Sequence, residues 1–168
     1  MTEADHPDIS DALEWGLRLH KAGVLGEAAE AYAEILARVP AQPEAAFLLG
    51  SIELQQGELV AACGHLAVAI VGLDSPEEAQ AGFCEALGSI PSARRETLLA
   101  DIAEMAPVAT SADRACAYIR TLRILREDDA AIALTDRVLQ STPSAAEVWR
   151  LRALLLVDRG SLPNAAVA

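Results

Sequence analysis

The stretch GVLGEAAEAYAEILARVP, residues 23–40, places a glycine, an alanine, an aromatic residue and a proline at set intervals. The small residues return 34 positions further along the chain without a gap. The matching pairs are Gly16 and Gly50, Gly23 and Gly57, and Ala28 and Ala62. A period of this length is typical of an array in which small structural units stack side by side. The chain is therefore divided first into units of about 34 residues.

The units differ in how completely they carry the pattern, and the first two are the most complete. The third departs from it because its second helical segment, SARRETLLADIAEM, lacks the alanine that the other units place there. In the fourth, Arg126 replaces the turn glycine and Thr135 replaces the aromatic residue. The predicted boundaries are 1–8 for an N-terminal tail and 9–168 for one repeat domain, with units 9–42, 43–76, 77–111 (degenerate), 112–145 and 146–168 (partial).

This pattern resembles the tetratricopeptide repeat (TPR), whose unit is a helix, a tight turn and a second helix. The resemblance implies an all-α fold: a right-handed α-solenoid of about four to five stacked helix-turn-helix hairpins, the third degenerate. Gly16 would lie where paired helices cross closely, and Gly23 would end the first helix in a left-handed conformation. Tyr32 would pack toward the next unit, and Pro40 would stop the second helix.

Composition agrees with helices and restricts the function. Hydrophobic residues make up 52% of the chain and aromatic residues only 4%, so most apolar residues are small or unbranched helix formers. The net charge is -12, with three basic against fourteen acidic residues in 1–84 and ten arginines against eleven acidic residues in 85–168. Such a chain lacks the cationic surface that binds nucleic acid or an anionic membrane.

The cellular setting is predicted from cysteines and from the N-terminus. Three cysteines without a CxxC motif suit a reducing compartment better than a disulfide framework. The start, MTEADHPDIS, has no apolar run and so no visible signal peptide. The scarcity of lysine beside abundant alanine and arginine is typical of a GC-rich bacterial genome. We expect a bacterial, cytoplasmic protein.

No catalytic pattern is visible, since the chain has no P-loop, GxGxxG, GxSxG or HExxH motif. Cys63 and His65 are two residues apart on a predicted helix and point in different directions, which makes them a poor metal pair. The acidic runs PEE (76–78) and REDDA (126–130) fall at expected helix N-termini, where carboxylates favour the helix dipole, so we interpret them as helix caps. We expect no enzyme activity, cofactor or metal in this segment.

The family resemblance implies that the first helices of successive units line a concave groove for a partner polypeptide. By this analogy the groove is apolar in its first half and carries arginines in its second. Leucines occupy the positions of the family's carboxylate clamp, so that clamp is missing. The alternative is that several of these leucines are buried by neighbouring helices. The predicted groove residues are Leu13, Leu17, Lys21, Phe47, Leu48, Ser51, Leu54, Cys116, Arg120, Arg123, Arg150, Leu151 and Leu154.

These features predict a protein-interaction module that binds an amphipathic helix of a partner, with the arginines pairing with the partner's carboxylates. The last unit is apolar on most sides, which suggests part of a longer protein, such as the substrate-docking region of a bacterial protein glycosyltransferase with a flagellin-like partner. The alternative is a homodimeric scaffold that pairs through Trp149 and residues 154–156.

Overall fold

The computed structural model describes residues 8–105 and 112–160, and throughout these ranges the chain forms consecutive helices of 13 or 14 residues. Nine helices are present in the described part of the chain. The rest of the predicted tail, the end of the third unit and the end of the partial last unit lie outside it. The helices are α1 (Ile9–Lys21), α2 (Leu25–Arg38), α3 (Pro43–Gln56), α4 (Leu59–Gly72), α5 (Glu77–Ser89), α6 (Ser92–Met105), α7 (Ala112–Ile124), α8 (Asp128–Ser141) and α9 (Ala146–Asp158).

The turns that follow α1, α3 and α7 share one backbone geometry. Gly23 has φ of 77° and Gly57 has φ of 81°, the left-handed conformation predicted from the repeat. After Gly57, the amide of Glu58 donates to the carbonyl of Glu53 at 2.8 Å, which satisfies a carbonyl at the helix end. The turn after α7 has the same bonds, but its left-handed residue is Arg126, with φ of 63°. An arginine there carries strain that glycine avoids.

Replacing Arg126 with glycine should therefore stabilise the protein. The left-handed conformation costs an L-residue about 1–2 kcal/mol, and the added freedom of glycine in the unfolded chain offsets about 0.4–1 kcal/mol of that. We expect a net gain of about 0.5–1 kcal/mol in the free energy of unfolding, measured in urea. The control is Arg126→Ala, which removes the same side chain but keeps the strain. An equal gain in both variants would mean that the side chain, not the backbone, is responsible.

The first two helix pairs share a core built around one tyrosine. Tyr32 of α2 is fully buried and packs with Leu49 and Ile52 of α3, so it joins the first pair to the second as predicted. Gly16 of α1 faces its ring so closely that an added Cβ would lie 2.5 Å from Tyr32 Cε1. The close crossing predicted at Gly16 is confirmed.

Helix α4 is the centre of the larger core. It contacts α3, α5, α6 and α7, and its only ionisable groups are a histidine and a cysteine. A helix that is apolar on every side is stable only when it is covered on every side. Its buried residues are Ala62, Cys63, Leu66, Ala67, Ala69, Ile70 and Val71.

The third pair, predicted to be degenerate, is more open than the other pairs. Among the described residues, α5 packs mainly on α4, whereas α6 lies against α4 and α8 and has little contact with α5. The physical reason lies 34 residues beyond Ala62, where Glu96 stands at the position of the alanine. The equivalent Ala28, Ala62 and Ala131 are each 0% exposed, and a carboxylate cannot be buried unpaired at such a crossing. Glu96 is exposed, and α6 lies away from α5.

Two consequences follow from the position of α6. Helix α7 packs directly on α4, so the stack continues past the irregular pair. A cavity of about 560 Å³ opens between α6, α7 and α8, and Glu96 lies in its wall. The fold is an all-α solenoid of stacked helix pairs whose third pair is open.

Candidate partner-binding groove

The first helices α1, α3, α7 and α9 carry the side chains of the predicted groove, and α5 is the first helix of the pair between α3 and α7. Helix α3 contacts α5, and α7 contacts α9. Leu54 of α3 lies at the first junction, 3.6 Å from where a Cβ on Gly82 of α5 would stand. Arginines of α7 and carboxylates of α9 meet at the second junction.

The apolar half of the predicted groove is neither sealed nor fully open. Leu13 and Leu48 are half-buried and pack on the core around Tyr32, whereas Phe47 and Leu54 are half-buried against the core around α4. Leu17 is also half-buried. Each side chain therefore keeps apolar surface that a partner could cover. Only the hydroxyl of Ser51 is engaged, since it donates to the carbonyl of Phe47 at 2.7 Å.

The arginine half differs from the prediction, because its guanidinium groups are already bonded within the chain. Arg120 reaches Glu147 at 2.6 Å, Arg150 bonds both oxygens of that carboxylate at 2.6 and 2.8 Å, and Arg123 bonds an oxygen of Asp158 at 2.8 Å. Hydrogen bonds from Arg150 and then Arg120 lower the pKa of Glu147 from 4.5 to about 2. Glu147 is therefore ionised at neutral pH, and these arginines already bond carboxylates of this chain.

Two further residues of this half are buried rather than exposed. Cys116 is 2% exposed and Leu151 is 2% exposed, since the contact between α7 and α9 covers both. The alternative weighed from the sequence, burial of a groove leucine by a neighbouring helix, is correct for Leu151. Leu154 is half-buried.

Sequence reasoning assigned no groove residue to α5, yet this helix carries two exposed carboxylates beside α3. Glu78 and Glu85 lie four residues before and three residues after Gly82, so they occupy the side of α5 next to Leu54. The repeat contains the signal that would have found them. Glu85 stands 34 residues after Ser51, which the sequence did place in the groove.

A cleft of about 470 Å³ separates α5 from α7. Ile70 of α4 and Leu73, directly after that helix, line it, and the side-chain amide of Gln80 donates across it to the carbonyl of Ala117 at 3.3 Å. At its edge Ile124 is 76% exposed, the largest exposed fraction of any large apolar residue in the described ranges. The cleft combines an apolar interior with a polar rim, an arrangement that can receive an apolar side chain.

Within 8–105 and 112–160 no three or more His, Cys, Asp or Glu side chains come together to hold a metal. Burial raises the pKa of the Cys63 thiol to about 12, and it also raises the pKa of Cys84, so both thiols favour the unreactive protonated form. None of the helices described is long and apolar enough to pass through a membrane.

Comparison with known proteins gives one family. A sequence model of the tetratricopeptide repeat matches residues 13–78 and 125–168, more than half of the chain. No curated protein matches the chain. Among solved structures, it is similar to a thermophilic TPR protein from Thermus thermophilus, with 19% identity and a TM-score of 0.42. That alignment covers 92% of this chain and 84% of the other.

Proposed function

Since the chain belongs to the tetratricopeptide repeat family, we propose that it holds a helical segment of another protein against α1, α3 and α5. Repeats of this family are generally protein–protein interaction modules. The finer proposal is supported mainly by one observation, the row of half-buried apolar side chains on the first helices. These are Leu13, Leu17, Phe47, Leu48 and Leu54.

The row favours a helical partner for a geometric reason. Phe47 and Leu54 are seven residues apart and therefore lie on the same side of α3, about two turns from each other. An amphipathic helix offers apolar side chains at the same spacing, so it can match this row over several turns. The half-burial of Phe47 and Leu48 also fixes their rotamers before binding, which lowers the entropy that binding would cost.

The test uses helical peptides selected from an unbiased display library against the whole chain. The variant Phe47→Glu with Leu48→Glu places two charges where the peptide's apolar face would lie. We expect it to weaken binding by about a hundredfold, because an apolar contact is lost and two carboxylates are desolvated. Fluorescence anisotropy measures the affinity, and circular dichroism checks that the helical content is unchanged.

A matched control is Val60→Glu. Val60 is 51% exposed on α4, a second helix of its pair, and lies beside α6 rather than on the groove. This change should leave the affinity within about twofold of the original, since surface substitutions away from a binding site have small effects. If the selected peptides bind the double variant as well as the original chain, they bind elsewhere and the groove proposal is wrong.

Two narrower hypotheses stay predictions. One is that the segment docks a substrate, such as a flagellin-like subunit, for a bacterial protein glycosyltransferase in the cytoplasm; the reading frame beyond residue 168 tests it. The other is a homodimeric scaffold that pairs through α9. It is favoured by Trp149 and Val157, which are 50% and 54% exposed. Sedimentation at dilute concentration would detect such a dimer.

A further inference from the structure

Helix α5 places carboxylates in the middle of the groove without cations to balance them. Glu77, Glu78 and Glu85 are exposed, and none of them has an ion pair within the described part of the chain. Glu77 lies in the wall of the cleft between α5 and α7. Glu78 and Glu85 lie one turn to either side of Gly82, whose added Cβ would stand 3.6 Å from Leu54. The three charges therefore border both apolar surfaces that a partner would cover.

The arginines of the second half do not neutralise them. Arg120 and Arg150 share Glu147, and Arg123 bonds Asp158. Arg114, at the other end of the cleft, donates to the carbonyl of Gly72 at 2.8 Å and approaches Asp74 at 3.4 Å. Each of these arginines already has a carboxylate of its own, so none of the four balances the charge of α5.

An anionic surface repels a partner whose polar face is acidic and attracts one whose polar face is basic. Resting on the proposed function above, we propose that the partner segment is a cationic amphipathic helix. Its apolar face covers Phe47 and Leu54 and places one side chain in the α5–α7 cleft. Its lysines or arginines pair with Glu78 and Glu85. This reverses the charge that the sequence alone had predicted for the partner.

Two synthetic peptides test the inference directly. Both are about 18 residues long, five helical turns, and carry leucines at the same positions. One has lysine at its remaining surface positions and the other has glutamate. Binding of each labelled peptide to the whole chain is measured by fluorescence anisotropy at about 0.05 M and about 0.3 M salt, because screening weakens exposed charge pairs.

The key variant is Glu78→Gln with Glu85→Gln, which removes charge while keeping size. We expect it to weaken binding of the lysine peptide by about five- to tenfold at low salt and by less at high salt. The control is Glu27→Gln with Glu34→Gln, an exposed pair of carboxylates at the same spacing on α2. It makes the net charge of the chain less negative by the same amount and should change the affinity by no more than about twofold. The glutamate peptide should bind at least about tenfold more weakly than the lysine peptide.

Three results would overturn the inference. The first is equal binding of both peptides that the α5 variant leaves unchanged and that Phe47→Glu with Leu48→Glu abolishes. The peptides would then bind in the groove without a preference for positive charge. The second is an equal effect of the α2 and α5 variants, which would mean non-specific attraction to an acidic chain. The third is binding of neither peptide, in which case the selected peptides alone decide the proposed function.

Discussion

Replacing Phe83 with alanine is expected to lower the free energy of unfolding by about 3–5 kcal/mol, the usual cost of removing a buried phenylalanine side chain. Phe83 of α5 is 0% exposed. Its ring meets that of Tyr118 of α7 edge to face, with 5.5 Å between centroids. Helix α5 packs mainly on α4 and has little contact with α6, so the contact of Phe83 with Tyr118 adds a link from α5 to α7. A loss of this size is a large part of the total free energy of unfolding of a small domain.

The matched control is the same change at the other phenylalanine. Phe47 of α3 is half-buried, and part of its ring already contacts water. Phe47→Ala should therefore cost less than about 2 kcal/mol, since less apolar surface returns to water and no closed cavity forms. Urea unfolding followed by circular dichroism compares the two variants. Equal losses would mean that Phe47 is as enclosed as Phe83, and the proposed groove would then have no surface to offer.

Much of the fold could be predicted because the repeat sets local structure and packing together. Gly23 and Gly57 occupy the left-handed positions that the spacing indicated, and Tyr32 joins two pairs as its place in the unit implied. Arg126 adopts the same conformation against its own preference. The packing of the stack therefore overrides the local preference of a single residue.

The packing of the third pair was harder to predict, although a single residue explains why the pair is open. The missing alanine was visible, but its replacement, Glu96, decides the outcome because a carboxylate resists burial. Where α6 goes instead depends on which surfaces of α4 and α8 are open to it. Those surfaces are set by contacts between residues far apart in sequence, and no spacing rule describes them.

The charge of the groove was also hard to predict, because it depends on contacts between residues far apart in sequence. Arg120 and Arg150 meet one carboxylate, Glu147, and they come from helices that are consecutive first members of their pairs. An offset of 34 residues places each arginine on the groove side, but it does not tell which acid on the neighbouring helix will reach it. Glu85 shows the opposite case, because the offset from Ser51 was enough to place it.

The second large effect is expected at Gly16, where replacement by alanine should lower the free energy of unfolding by about 1–3 kcal/mol. A methyl group there would stand 2.5 Å from Cε1 and 3.0 Å from Cδ1 of Tyr32. The ring is fully buried between α1 and α3, so it has no open space to rotate into. The helices α1 and α2 must move apart instead, which loosens the core of the first two pairs.

Gly64→Ala is the matched control, because Gly64 lies inside α4 and an added Cβ would meet nothing within 4 Å. Alanine is the better helix former by about 1 kcal/mol, so this variant should gain stability. The same propensity gain acts at Gly16, and only the collision with Tyr32 can reverse its sign. Adding Tyr32→Leu to Gly16→Ala should then recover part of the loss, since a shorter side chain leaves room for the methyl group. A higher free energy of unfolding in both alanine variants would mean that α1 and α2 do not cross closely at Gly16. The close packing of paired helices that the repeat predicts would then be wrong for the first pair.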